Sequence, residues 1–135
     1  MAESTKGYDF DLTGRIIAAA IEVHKELGPG FQEVVYQRAL ALEMQTAGLE
    51  FDREVKVPVF YKDRQIDTRR VDFVVGECIV EIKARSVLLP EDYIQTLSYL
   101  KASGFKLGLL INFGSDKVEV KRLINERKRA GVGAG

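Results

Sequence analysis

The chain has 135 residues, 46% of them apolar and 30% charged, with 20 basic and 20 acidic side chains in balance. That suits one globular domain burying about two-thirds of its unfolded surface, and it argues against an extended or disulfide-stapled chain. Neutral net charge disfavours a strong nonspecific polyanion binder but permits a locally basic groove. The single cysteine, Cys78, cannot form an internal disulfide, and with no secretory signal or long apolar run in sight the expected compartment is the cytoplasm and no membrane partner is expected.

Residues 1–10 are polar and aperiodic and read as a loose lead-in, with Thr13 the expected N-cap of a first helix. Ile16, Ile17, Ala20, Ile21, Val23, His24 and Leu27 recur at helical spacing up to Gly28-Pro29-Gly30, which stops the helix. His24, the only histidine, lies on the apolar side of that helix, where a structural role is the commoner one. A second helix is expected from Phe31 to Thr46, with Glu33 in its first turn, where the helix dipole favours an acid whatever its function. Glu33, Tyr36 and Leu40 share one stripe, and Tyr36 has an alternative reading as plain core.

The stretch 51–61 alternates and contains Pro58, which suits an edge or bulged strand; Lys62-Asp63 is the expected turn into a strand over 64–75. A third strand over 78–85 follows a two-residue loop, Gly76-Glu77, of type II′, and completes an antiparallel meander. This turn predicts the pairs Val75/Cys78, Val74/Ile79, Phe73/Val80 and Asp72/Glu81, the last with Cα atoms about 4.5 Å apart. One face, Val71, Phe73, Val75, Cys78, Val80 and Ile82, is wholly apolar; Lys83 falls on the other with Val74 and Ile79. Opposed carboxylates on a buried sheet need a cation or proton between them. The hairpin alone leaves two readings open: a metal site, or a surface strip neutralised by Lys83 and Arg69 or Arg70.

Pro90, Glu91 and Asp92 open a helix expected to run to about Ala102, with Gln95 and Tyr99 on one stripe. The apolar run Lys106–Phe113 reads as a buried strand, parallel to the hairpin strand before the helix. Residues 116–123 alternate as an edge strand, and 126–135 are basic, then glycine-rich, as in a flexible tail. The folded domain is thus expected over 11–125. No internal repeat, P-loop, zinc-spaced Cys/His cluster or nucleophile elbow is present in the sequence.

Gly30-Phe31-Gln32-Glu33-Val34-Val35-Tyr36 is a G-x-x-E-x-x-Y string, and with Asp72, Glu81-Ile82-Lys83, Gln95-x-x-x-Tyr99 and the late strand around Gly108–Phe113 it resembles the GxxExxY protein family, placed within the PD-(D/E)XK nuclease superfamily. The resemblance covers about Ile16 to Leu123. It implies an α/β fold: a single-domain PD-(D/E)XK nuclease-like core with a mixed β-sheet flanked by helices. It further implies a divalent-metal phosphodiesterase site in which Asp72 and Glu81 are metal-binding acids, Lys83 is the motif lysine and Glu33 is an additional helix acid. Gln95 and Tyr99 match the QxxxY pattern of the superfamily's RecB-like branch and would position a phosphate or a water. Where that pattern leads one to expect a histidine before the glutamine, this chain has Asp92. Asp72, Glu81, Glu33 and the carbonyl of Ile82 form an oxygen-rich shell suited to Mg²⁺ or Mn²⁺. The implied activity is a metal-dependent nuclease acting on nucleic acid, with DNA the expected substrate; the alternatives are a catalytically silent nucleic-acid-binding module or a protein-interaction module on the same fold.

Overall fold

The central strand β3 (Cys78–Lys83) pairs antiparallel on one side and parallel on the other. Around it the computed structural model, which describes residues 8–126, arranges five strands in the order β1-β2-β3-β4-β5. The others are β1 (Asp52–Tyr61), β2 (Arg64–Val75), β4 (Leu107–Asn112) and β5 (Glu119–Ile124). Helices α1 (Phe10–Leu27) and α2 (Glu33–Thr46) pack on one face and α3 (Pro90–Ser103) on the other. This is the expected mixed sheet between helices. The βαβ unit β3-α3-β4 returns parallel, as the apolar run of β4 and its preceding helix required. Among the described residues no helix is long and apolar enough to cross a membrane.

Two local expectations differ. The first helix starts at Phe10, and Asp9 is its cap, accepting the Leu12 N–H at 2.9 Å. Thr13 is instead inside the helix, donating its hydroxyl to the Phe10 carbonyl and accepting Nε–H of Arg122 on β5. The helix and its cap therefore take in Asp9 and Phe10, the last two residues of the expected lead-in 1–10. Residues 1–7 and 127–135, carrying the rest of that lead-in and nearly all of the basic tail, lie outside the described residues.

The hairpin keeps its expected inner register, Val75↔Cys78, Val74↔Ile79 and Phe73↔Val80, about a turn in which Gly76 has φ +57° and Glu77 has no positive φ, as a type II′ turn requires. Pairing ends there. Asp72 and Glu81 are not a ladder pair, and Val71 does not share a face with Phe73. Phe73 and Val75 join the α1/α2 core, whereas Val71 packs with Val57, Ile79 and Leu100 on the α3 side. The partner strand does the same. Phe51 packs in the α1/α2 core and Val55 and Val57 in the α3 core, and between them Glu54 has φ +52°. Since the register is Arg53↔Phe73 before this point and Val55↔Val71 after it, both strands roll over together at Glu54 and Asp72. Strict alternation could not foresee this, because it assumes an unbroken pleat.

The GxxExxY string supplies structure at its tyrosine. Tyr36 is fully buried, stacks on Phe113 with centroids 4.8 Å apart, donates its hydroxyl to the Gly28 carbonyl at 2.6 Å and accepts the Phe31 N–H at 3.2 Å. It thereby closes the α1–α2 loop on the sheet. His24 has the structural role expected of it, with Nε2 2.8 Å from the Ser115 carbonyl.

Candidate active site at the root of the hairpin

Glu81 sits on β3 facing α3 and is 7% exposed. Burial pushes its carboxyl up to about 7; the Arg69 charge opposes that rise and the Asp72 charge adds to it, while a hydrogen bond from Arg69 and the nearby Lys83 charge pull it back. Arg69 donates from Nη2 at 3.1 Å and from Nε at 3.3 Å, both to Oε2. Its guanidinium lies 4.5 Å from the centre of the Tyr99 ring on α3. Among the described residues Oε1 accepts no hydrogen bond, and it still reaches solvent.

Asp72 is held by two donors. One oxygen accepts the Ile82 main-chain N–H at 2.8 Å, at the point where the β2–β3 ladder stops. The other accepts Nε2 of Gln37 at 2.8 Å, and the Gln37 carbonyl accepts Nη2 of Arg53 at 3.0 Å. Three elements, α2, β1 and β3, thus fix one carboxylate. Asp72 can face α2 only because β2 rolls over at this residue.

Lys83 ends β3 with its side chain largely buried, Nζ 4.0 Å from Asp92. Asp92, 4% exposed, also pairs with Nε of Arg85 at 2.9 Å and caps α3 by accepting the Leu89 N–H at 3.0 Å. The residue that departs from the expected histidine is therefore the counter-ion of the motif lysine. Beyond Lys83, the Asn112 amide pairs with both the N–H and the carbonyl of Arg85, at 2.8 and 2.9 Å, extending the β3–β4 edge by a side chain. Glu119 accepts from that amide, which holds its carboxyl below the usual carboxylate range.

Asp72, Glu81, Ile82 and Lys83 are thus brought together, and Tyr99 reaches the site through Arg69. The side chains of Glu33 and Gln95 are exposed and make no hydrogen bond or ion pair among the described residues. The residue one turn after Glu33, Gln37, is the one that contacts Asp72; the stripe through Glu33 contains it at i+4, but a glutamine mid-helix gives no chemical signal by itself. Among the described residues no three His, Cys, Asp or Glu side chains converge as metal ligands. The donor set nonetheless suits a hard cation: two carboxylates close enough for one to raise the other's pKa, each with an oxygen lone pair to spare, where the β2–β3 ladder ends. Such a site is built from two acids, completed by main-chain oxygen and water.

Residues 10–123 match the family profile of the PD-(D/E)XK nuclease superfamily. No curated protein matches the chain. Among solved structures, the crystal structure of SSO0001 is similar over 84% of this chain and 67% of its own, with 14% sequence identity and a TM-score of 0.42.

Proposed function

The chain belongs to the PD-(D/E)XK nuclease superfamily, and we propose that it is a divalent-metal-dependent nuclease of the GxxExxY group that hydrolyses DNA. The observation that carries this reading is the contrast between the two acids: Asp72 is oriented by two donors, while Glu81 is buried beside it with its carboxyl raised to about 7. Two acids in this relation repel each other, and Arg69 offsets that repulsion at one oxygen of Glu81. A bound Mg²⁺ or Mn²⁺ would supply charge neutralisation at phosphorus and a more acidic water.

Asp72, Oε1 of Glu81 and the carbonyl of Ile82 are the groups proposed to hold that cation. Lys83, tethered by Asp92, is the group proposed to hold the attacking water or to stabilise the negative charge that builds on phosphate oxygens. Tyr99 supports Arg69 beside the acids. Glu33, one turn before Gln37 on α2, is proposed as the additional acid of the site, and Gln95, one turn before Tyr99 on α3, as a residue that positions a phosphate or a water.

The test is cleavage of single- and double-stranded DNA, and of RNA, with and without Mg²⁺ or Mn²⁺. Cleavage should need the cation and vanish in Lys83→Ala while circular dichroism is unchanged. Cleavage that survives EDTA, or an unaltered Lys83→Ala enzyme, sinks the reading. A silent nucleic-acid-binding module is the second reading, favoured by the Arg69 guanidinium already seated on Glu81. It predicts DNA affinity without divalent-ion binding at millimolar concentration.

A further inference from the structure

We propose that Arg69 is the residue that receives the substrate's phosphodiester, kept on Glu81 until a cation takes that carboxylate. The inference rests on the reading of Asp72 and Glu81 as a cation site.

Three features distinguish the Arg69–Glu81 contact from a permanent buried pair. It is one-sided: both guanidinium donors converge on Oε2, and Oε1 is left open, unlike the parallel fork, one donor to each oxygen, that arginine frequently makes with a carboxylate. It is unequal in burial, with the Arg69 side chain 24% exposed against 9% for Glu81, so the arginine side chain reaches solvent. It is also not the only thing holding the arginine. The Tyr99 ring lies under the guanidinium, and Val71, two residues along the same strand, is anchored in the α3-side core. Loss of Glu81 as a partner would therefore free the donors without releasing the side chain from the site.

The neighbouring cations do not share this arrangement. Lys83 and Arg85 both pair with Asp92, and Arg70 pairs with Glu54. Arg69 is the cation whose counter-ion is itself one of the acids of the cation site. A divalent ion on Oε1 of Glu81 and on Asp72 repels the guanidinium and neutralises the carboxylate that holds it. The displaced planar fork then matches the two unesterified oxygens of a phosphodiester, which an ammonium does not. Metal binding and substrate binding are coupled through one side chain: the ion frees the donors that the phosphate needs.

The test uses Mn²⁺ alone and then an oligonucleotide. Isothermal titration of Mn²⁺ into the wild-type chain and into Arg69→Gln, without nucleic acid, should show the variant binding more tightly, by about tenfold, the size of an ordinary coupling between two sites. In Mn²⁺ and on a Lys83→Ala background that prevents turnover, fluorescence anisotropy should show Arg69→Gln binding a short oligodeoxynucleotide more weakly, with a salt dependence reduced by about one phosphate contact. A rise in one affinity with a fall in the other is not what loss of a merely structural contact produces. If Arg69→Gln does not fold, Arg69→Lys is read the same way, with smaller changes in the same directions. Mn²⁺ binding by the wild type that Arg69→Gln leaves unchanged or weakens, or unchanged oligonucleotide affinity, overturns the role of Arg69 alone. Absence of Mn²⁺ binding in both proteins overturns the cation site and this inference with it.

Discussion

The Asp72 carboxylate accepts the main-chain N–H of Ile82 at 2.8 Å, doing with a side chain what a strand carbonyl would otherwise do. An aspartate here is at once the terminus of a β-ladder and half of a candidate cation site. Removing it should cost both. Asp72→Ala is expected to lose about 1–3 kcal/mol, the usual cost of leaving a buried donor unpaired, together with divalent-ion affinity. Urea unfolding and Mn²⁺ titration on the same preparation check the two effects.

Gln37 orients Asp72 without being able to hold a cation well itself. Outer partners of this kind usually contribute 10- to 100-fold to metal affinity, so Gln37→Leu should weaken Mn²⁺ binding by about that factor. Gln37→Glu replaces the donor with a third acid beside Asp72 and should steepen the pH dependence of Mn²⁺ binding. Unchanged affinity in Gln37→Leu would remove Gln37 from the site.

Glu81 makes stability depend on pH in a definite direction. Its folded pKa, about 7, lies above the ordinary 4.5, so between those values the folded chain binds more protons than the unfolded one. The associated stability is fully present below about pH 4.5 and is lost as pH rises through about 7, up to roughly 3 kcal/mol for a shift of this size. Other carboxylates impose their own slopes, so the informative quantity is the wild type minus Glu81→Gln. That difference should fall from pH 5 to pH 8 in chemical denaturation, and saturating Mn²⁺ should abolish the fall.

Tyr36→Phe keeps the stack on Phe113 and removes only the hydroxyl that joins the Gly28 carbonyl to the Phe31 N–H. We expect a loss of about 1–2 kcal/mol and faster hydrogen exchange at Phe31, with the α1–α2 loop loosened before the core. Slow exchange at Phe31 in the variant would show that the loop is held by something else.

Gly114 is required by a close approach of two chain segments. A Cβ there would lie 2.3 Å from the Arg85 carbonyl oxygen and 2.5 Å from its nitrogen, which are backbone atoms that cannot swing aside. Gly114→Ala should therefore destabilise by about 2 kcal/mol or more and disturb the Asn112–Arg85 pairing next to Lys83. A melting temperature equal to that of the wild type would contradict this packing.

Much of this arrangement is legible in the sequence, for identifiable reasons. Gly76 fixes the turn, and the turn fixes three strand pairs; the helix between β3 and β4 fixes their parallel direction. What alternation could not carry is the roll at Glu54 and Asp72, because a left-handed glutamate on one strand and a side-chain-capped ladder on the other leave no mark on an apolar/polar pattern. The two acids and Lys83 were readable as a group. Gln37, Asp92 and the hold of Arg69 on Glu81 are three-dimensional facts about which helix face meets which strand end. Glu33 and Gln95 stand out by motif alone, because an exposed helix position carries no packing signal of its own.

The shared roll of β1 and β2 also governs which changes in chain length this protein can absorb. The same strand feeds the α1/α2 core through Phe73 and Val75 and the α3 core through Val71. One residue added or removed between Arg69 and Phe73 would exchange the inward and outward sets on one side of the roll but not the other, and no sliding of the hairpin could restore both. An insertion at the Lys62–Asp63 tip disturbs neither set. Over evolutionary time, the hairpin is free to lengthen at its tip while its root, which bears Asp72, keeps a fixed count of residues.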